Sequence, residues 1–303
     1  MARILVLGDH LLDHYKFYKS IRNDPATPDV PVVKLANEVK VDGGAGNLVR
    51  NLRVLANVDV IHFHGSVPIK IRNYMNDKYT FREDINDEIL HSGPLIDEFV
   101  DEIKDNDYVV ISDYHKGTIK YSDIKRILAK CNETNITFVD TNHVQPEHEG
   151  VDWLKINYET ARESVNIFGK NRELEVAKKV SDKTGTNVIV TKGADGFIAY
   201  LIKSKENIYY TKDEYKNGTK HFVDSIGAGD SFFAGFISAL INKKEVIPSL
   251  IYADVVAHLS TTQLGTIKVI DKSEADTEYK HIETTTKENG NDIYVNRIVN
   301  NVP

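Results

Sequence analysis

The stretch Val223-Asp224-Ser225-Ile226-Gly227-Ala228-Gly229-Asp230-Ser231-Phe232-Phe233-Ala234-Gly235-Phe236 decides the reading of this chain. It reads as a short strand, a glycine turn and the start of a buried helix. Gly227 and Gly229 flank Ala228, so the turn can take backbone conformations closed to other residues and approach a ligand closely. Phe232, Phe233, Phe236, Ile237 and Leu240 then recur at helical spacing. The first N–H groups of such a helix lack acceptors within it and lie at the positive end of its dipole, so they attract anions. Asp230 puts a carboxylate among those donors. A base beside an anion hole suits phosphoryl transfer to a hydroxyl. The same residues also read as a plain helix N-cap, because Asp is a favoured cap and Gly a common turn residue.

Composition narrows the classes. The 303 residues include 45 acidic and 38 basic side chains, a formal net charge of −7. That balance argues against a general nucleic-acid binder, which carries a basic surplus or stripe. With 41% hydrophobic and 27% charged residues, a sizeable core is expected. Cys131 stands alone, so no internal disulfide forms. No apolar run reaches membrane-spanning length, and Met1 to Gly8 leads straight into a β-like run without a signal-like stretch. A cytoplasmic protein without membrane partners is expected, with the Asn-x-Thr sequences at Asn132, Asn135 and Asn217 accidental.

Upstream, Arg3 to Leu7 reads as a strand ended by Gly8-Asp9. Asp9 and Asp13 lie near its end, where α/β sheets bind ligands; each also reads as a turn or cap aspartate. Lys16–Tyr18 and Val30–Leu35 read as β segments of an exposed flap. Asp42-Gly43-Gly44-Ala45-Gly46-Asn47 opens a helix to about Ala56, with Asn47 and Asn51 one turn apart and Arg50 and Arg53 read as solvated. His62 and His64 face one way on a strand, but a metal site needs more ligands than two. From about Gly93, strands with polar ends alternate with helices, the pattern of a doubly wound parallel sheet. Their ends gather Asp9, Asp113, Asp140, Asn157 and Thr191 on one rim. After Gly196 come β segments at Phe197–Leu201 and Asn207–Thr211, the helix of the opening stretch, and a helix over about Leu250–Thr262. Residues 271–303 are polar.

In this order the motifs resemble those of the PfkB/ribokinase family of sugar kinases. Asp224-Ser225-Ile226-Gly227-Ala228-Gly229-Asp230 is similar to its D-T-x-G-A-G-D signature, Gly43-Gly44-Ala45-Gly46-Asn47 to its substrate motif, and Thr191-Lys192-Gly193-Ala194-Asp195-Gly196 to its nucleotide motif. The heptose-phosphate kinase branch is the nearest in detail, through Gly8-Asp9-His10-Leu11-Leu12-Asp13-His14-Tyr15, Val30-Pro31-Val32-Val33-Lys34, Ser112-Asp113-Tyr114-His115-Lys116-Gly117 and Leu264-Gly265-Thr266. Three departures stand out. A helix and strand expected between Gly65 and Pro68 are missing. The family's N-x-x-E reads Asn157-Tyr158-Glu159-Thr160. The branch's D-P-K reads Asp140-Thr141-Asn142.

The resemblance implies a ribokinase-like domain over residues 1–270, with a β flap at about 14–40 and 67–84 through which a homodimer forms, and a tail over 271–303. It implies a kinase using ATP and Mg²⁺ on a sugar or sugar phosphate. Asp230 would be the base, and the N–H groups of Gly227, Ala228 and Gly229 the anion hole. Asp9, Asp13, Gly43, Gly44, Asn47 and Lys116 would hold the substrate. Asn157, Thr191, Gly193, Gly196 and Gly265 would line the nucleotide, with Glu159 near the metal through water. A P-loop kinase is excluded, since G-x-x-x-x-G-K-[S/T] is absent. A nucleoside kinase of the same fold, or a binding protein without turnover, fits the same motifs.

Overall fold

The computed structural model describes residues 2–87, 95–169, 171–210, 222–288 and 296–299. In chain order the elements are β1 (Arg3–Gly8), β2 (His10–Asn23), β3 (Pro31–Gly44), α1 (Ala45–Ala56), β4 (Asp59–Phe63), β5 (Ile69–Met75) and β6 (Lys78–Ile85). Next come α2 (Leu95–Glu102), β7 (Tyr108–Asp113), α3 (Tyr121–Leu128), β8 (Ile136–Thr141), β9 (Trp153–Asn157), α4 (Tyr158–Ser164), α5 (Glu173–Thr184) and β10 (Asn187–Thr191). The last are β11 (Phe197–Leu201), β12 (Glu206–Tyr210), α6 (Ala228–Ile241), α7 (Val246–Thr261), α8 (Lys272–Glu288) and β13 (Asn296–Val299).

Nine strands form one sheet in the order β13-β12-β11-β10-β9-β8-β7-β1-β4. The run from β10 to β4 is parallel, and β11 to β13 add antiparallel strands. Alternation along β1 shows why both faces are covered. Ile4 and Val6 pack with α1, α6 and α7, while Leu5 and Leu7 pack with α2, α3 and α5. Successive strand side chains point to opposite faces, so a continuous apolar run means two buried faces. Phe233 and Phe236 of α6 are wholly buried, Phe236 edge-on to Trp153 at 4.8 Å. Each such side chain contributes roughly 1.5–3 kcal/mol of burial. This anchors the helix whose N-terminus carries Asp230.

The flap is a separate four-stranded sheet, β3-β2-β5-β6. β4 leads to it through residues 64–68 alone, and β4 is the terminal strand of the large sheet.

Some expectations change. Residues 222–225 form no strand; the N–H groups of Val223 and Asp224 instead donate to the Thr261 carbonyl at the end of α7. The short helix α4 was not expected. The tail supplies Ala275 and Tyr279 to the core through α8, and β13 pairs with β12. Residues 289–295 and 300–303, Thr211 and Asn217 lie outside the described residues.

Candidate active site

The C-terminal ends of the parallel strands, the first turn of α6 and the base of the flap meet in one place. Gly227 caps α6 with φ 77°, a left-handed conformation that favours glycine. A Cβ there would come within 2.5 Å of Thr266 Cγ2 and 2.9 Å of Asn47 Nδ2. Asp224 ties the turn down, accepting from the N–H groups of Ile226 and Gly265, each at 3.1 Å. The Ala228 N–H donates to the Ser225 carbonyl at 3.2 Å, so it closes the turn rather than facing a ligand. Among the described residues, the N–H groups of Gly227 and Gly229 have no such acceptor.

Asp230 is 4% exposed. One carboxylate oxygen, Oδ2, accepts from Asn47 Nδ2 at 3.2 Å, and the other, Oδ1, from the Tyr114 hydroxyl. Asn51 donates to Asn47 Oδ1 at 3.1 Å, which turns the Asn47 amide so that its nitrogen faces Asp230. Burial pushes the Asp230 carboxyl up to about 7; the Tyr114 hydrogen bond opposes this and the neighbouring Asp140 adds to it.

Lys155 donates to Asp140 at 2.7 Å, and both side chains are buried. Its ammonium would lie 3.1 Å from a Cβ on Gly229, so a cation stands against the helix terminus. Sequence reasoning assigned Lys155 no role, although a lysine inside the apolar run Trp153–Ile156 is itself a signal. Tyr114 was likewise quoted in a motif without a role.

Other expected residues take different places. Asp9 is wholly buried, and its oxygens accept from the N–H groups of Tyr114, Lys116 and Thr118 at 2.8, 2.9 and 3.1 Å. It therefore shapes the 114–118 loop. Asp13 is held by Arg72 at 2.9 Å and Thr266 Oγ1 at 3.1 Å. Gly43 makes room for it, since a Cβ would reach 2.4 Å from Asp13 Oδ2. Gly44, at φ 55°, caps α1 beside the Asp9 carbonyl. Lys116 is paired with Asp87 at 2.7 Å, and Asp87 also lies 3.6 Å from Lys70.

Gly265 packs under Tyr15 of the flap, where a Cβ would meet the hydroxyl at 2.0 Å, so it stands at the flap junction. Arg50, read as solvated, donates to the Thr266 carbonyl at 3.0 Å. On the rim, Thr191 stands beside Asn157 in the β9–β10 register. The turn after it has Gly193 at φ 60° and Gly196 at φ 87°, with open space over Gly193. The Asn157 side chain caps α4 by accepting from Thr160 N–H at 2.9 Å. Glu159 is 66% exposed and pairs with Arg162 on its own helix. Among the described residues no group of three or more His, Cys, Asp or Glu is arranged to hold a metal ion. His62 stacks with His10 while His64 lies tilted against both, and burial drives His62 down to about 3.

Residues 69–273 match the description pfkB family carbohydrate kinase. The chain belongs to that family. The kinase is 28% identical over 297 residues to the bifunctional protein HldE of Campylobacter jejuni, covering 88% of this chain and 62% of that protein. HldE of Haemophilus influenzae is 26% identical over 307 residues, again with 62% of its length covered. The kinase thus spans less than two thirds of these relatives. Its fold is similar to that of phosphofructokinase-2 from Escherichia coli in complex with substrates and products, with a TM-score of 0.70 at 13% identity over 93% of this chain and 99% of that one. It is also similar to Arabidopsis thaliana ribokinase complexed with ribose and ATP, with a TM-score of 0.69 at 15% identity over 92% and 99%.

Proposed function

We propose that this carbohydrate kinase transfers the γ-phosphoryl group of ATP to a hydroxyl of a sugar phosphate of the heptose-7-phosphate kind. The observation that carries the reading is Asp230, a buried carboxylate at the N-terminus of α6 with Lys155 against the same turn. The acceptor hydroxyl gives its proton to Asp230 as its oxygen attacks the γ-phosphorus and ADP leaves. The N–H groups of Gly227 and Gly229 and the Lys155 ammonium stabilise charge on the transferred group. Asn47 orients Asp230. The turn at Thr191, Gly193 and Gly196 is open to nucleotide. Mg²⁺ would travel with the ATP phosphates, keeping most of its waters because it dehydrates reluctantly.

An anionic acceptor is supported by three cations, Lys70 and Arg72 on flap strand β5 and Lys116 in the loop after β7; Asp87 balances the two lysines and Asp13 the arginine, and a substrate phosphate could replace these carboxylates. The motifs shared with heptose-phosphate kinases support the same class. The reading places the enzyme in the cytoplasm with its ATP; no helix among the described residues is long and apolar enough to cross a membrane. Ile21, Leu35, Phe81 and Ile85 are exposed on the flap, which supports a homodimer formed there.

The test is ATP consumption with a panel of free sugars, sugar phosphates including heptose phosphates, and nucleosides. Turnover with sugar phosphates alone is expected. Turnover confined to nucleosides overturns the acceptor class, and ATP binding without turnover on any of them overturns the catalytic reading.

A further inference from the structure

Both oxygens of the base are occupied. Asn47 holds Asp230 Oδ2, and the Tyr114 hydroxyl donates to Oδ1. Each oxygen keeps a second lone pair, but Asp230 is only 4% exposed, so an acceptor hydroxyl that is to lose its proton to Oδ1 takes the place of the Tyr114 hydroxyl. The backbone around Tyr114 is fixed: its N–H donates to Asp9 at 2.8 Å, the next N–H to Asp113 at 2.8 Å and that of Lys116 to Asp9 at 2.9 Å. Only the side chain has to turn.

We infer that Tyr114 guards the base against water, keeping Asp230 covered until an acceptor sugar displaces its hydroxyl. The inference rests on the kinase reading above. A water molecule can also donate to a carboxylate, but it brings this one contact and competes with a phenol tethered in place at high effective concentration. A sugar brings several further hydroxyl contacts, and binding energy from those remote groups can drive the displacement. Without the guard, a water oxygen would attack the γ-phosphorus, its proton would pass to Asp230, the bond to ADP would break, and ADP and inorganic phosphate would leave. Tyr114 is thus a positioning residue that sets which hydroxyl reaches the base.

The test needs no knowledge of the sugar. Phosphate release from ATP–Mg²⁺ is measured without acceptor for the full chain and for Tyr114→Phe across a pH series that reaches each protein's plateau, because losing the Tyr114 hydrogen bond raises the Asp230 carboxyl further. Release should rise roughly tenfold or more in Tyr114→Phe, given what a positioned base contributes. It should increase with pH as Asp230 ionises, and Tyr114→Phe/Asp230→Asn should fall back to the wild-type level. A packing role for Tyr114 would not produce that pattern. Tyr114→Leu serves as a second variant if the first is poorly folded. The inference is overturned if both variants bind ATP–Mg²⁺ by thermal shift yet release phosphate no faster than wild type. It is also overturned if the faster release survives loss of Asp230. Absence of ATP–Mg²⁺ binding by the wild type would instead overturn the kinase reading itself.

Discussion

Lys155 and Asp140 sit opposite each other on β9 and β8 and form a buried ion pair at 2.7 Å, with the ammonium against Gly229. The strand that ends Asp140-Thr141-Asn142 lacks the lysine that the heptose-kinase motif leads one to expect. The neighbouring strand brings a lysine to the turn of α6 instead.

Lys155→Met removes the cation and strands a buried carboxylate. Breaking such a pair costs on the order of 3–5 kcal/mol, and losing one preorganised charge partner at a transition state costs roughly 10²–10³ in kcat. Thermal melting and steady-state kinetics should show both losses. Asp140→Asn combined with Lys155→Met should recover most of the melting temperature but not the rate.

Asp230→Asn keeps the shape of the site and removes the base. The expected fall in kcat is about 10²–10⁴ or more, with ATP affinity little changed. Calorimetric titration of ATP alongside a turnover assay checks it. Near-normal kcat would mean that the proton goes elsewhere.

Asp230 also fixes a pH dependence. Burial raises its carboxyl from 3.8 to about 7, so the catalytic form fills in as pH rises through neutrality. The rate should climb across that range and level off above it. Stability runs the other way. Between 3.8 and about 7 the folded state binds more protons than the unfolded one, so this group's contribution falls as pH rises. Asp230→Asn should therefore raise the melting temperature at alkaline pH more than at acid pH.

Gly227→Ala tests the turn. A Cβ at φ 77° is strained, and it would strike Thr266 and Asn47. A left-handed non-glycine residue costs of order 1–3 kcal/mol. The displaced Asn47 should lower kcat more than it raises the KM for ATP, which initial-rate kinetics separates.

Phe81, 54% exposed on β6, tests the flap dimer. Phe81→Asp should shift the protein to monomer in sedimentation velocity while leaving the melting temperature of the monomer nearly unchanged. Surface substitutions usually act within about 0.5 kcal/mol.

The central sheet was legible because β7, β8, β9 and β10 are mostly apolar runs, each ended by a polar residue. The rim was legible for the same reason. Direction was not: Asp9 lies at a strand end, but its three partners come from a loop more than 100 residues away, and they turn it inward. Glu159 stands one residue short of the N-x-x-E spacing from Asn157, and Arg162 one turn on pairs with it at the surface. The helix α4 spans seven residues with only Ala161 buried, too short for periodicity to register. In α8 the core residues Ala275 and Tyr279 are set among polar ones, so the pattern is weak.

The Thr266 N–H donates to the Tyr15 hydroxyl at 3.0 Å, and the Thr266 hydroxyl to Asp13 at 3.1 Å. These bonds join a flap strand to the loop that packs on Gly227. A displacement of β2 would therefore be felt at the turn that carries Asp230, so the flap and that turn are mechanically coupled.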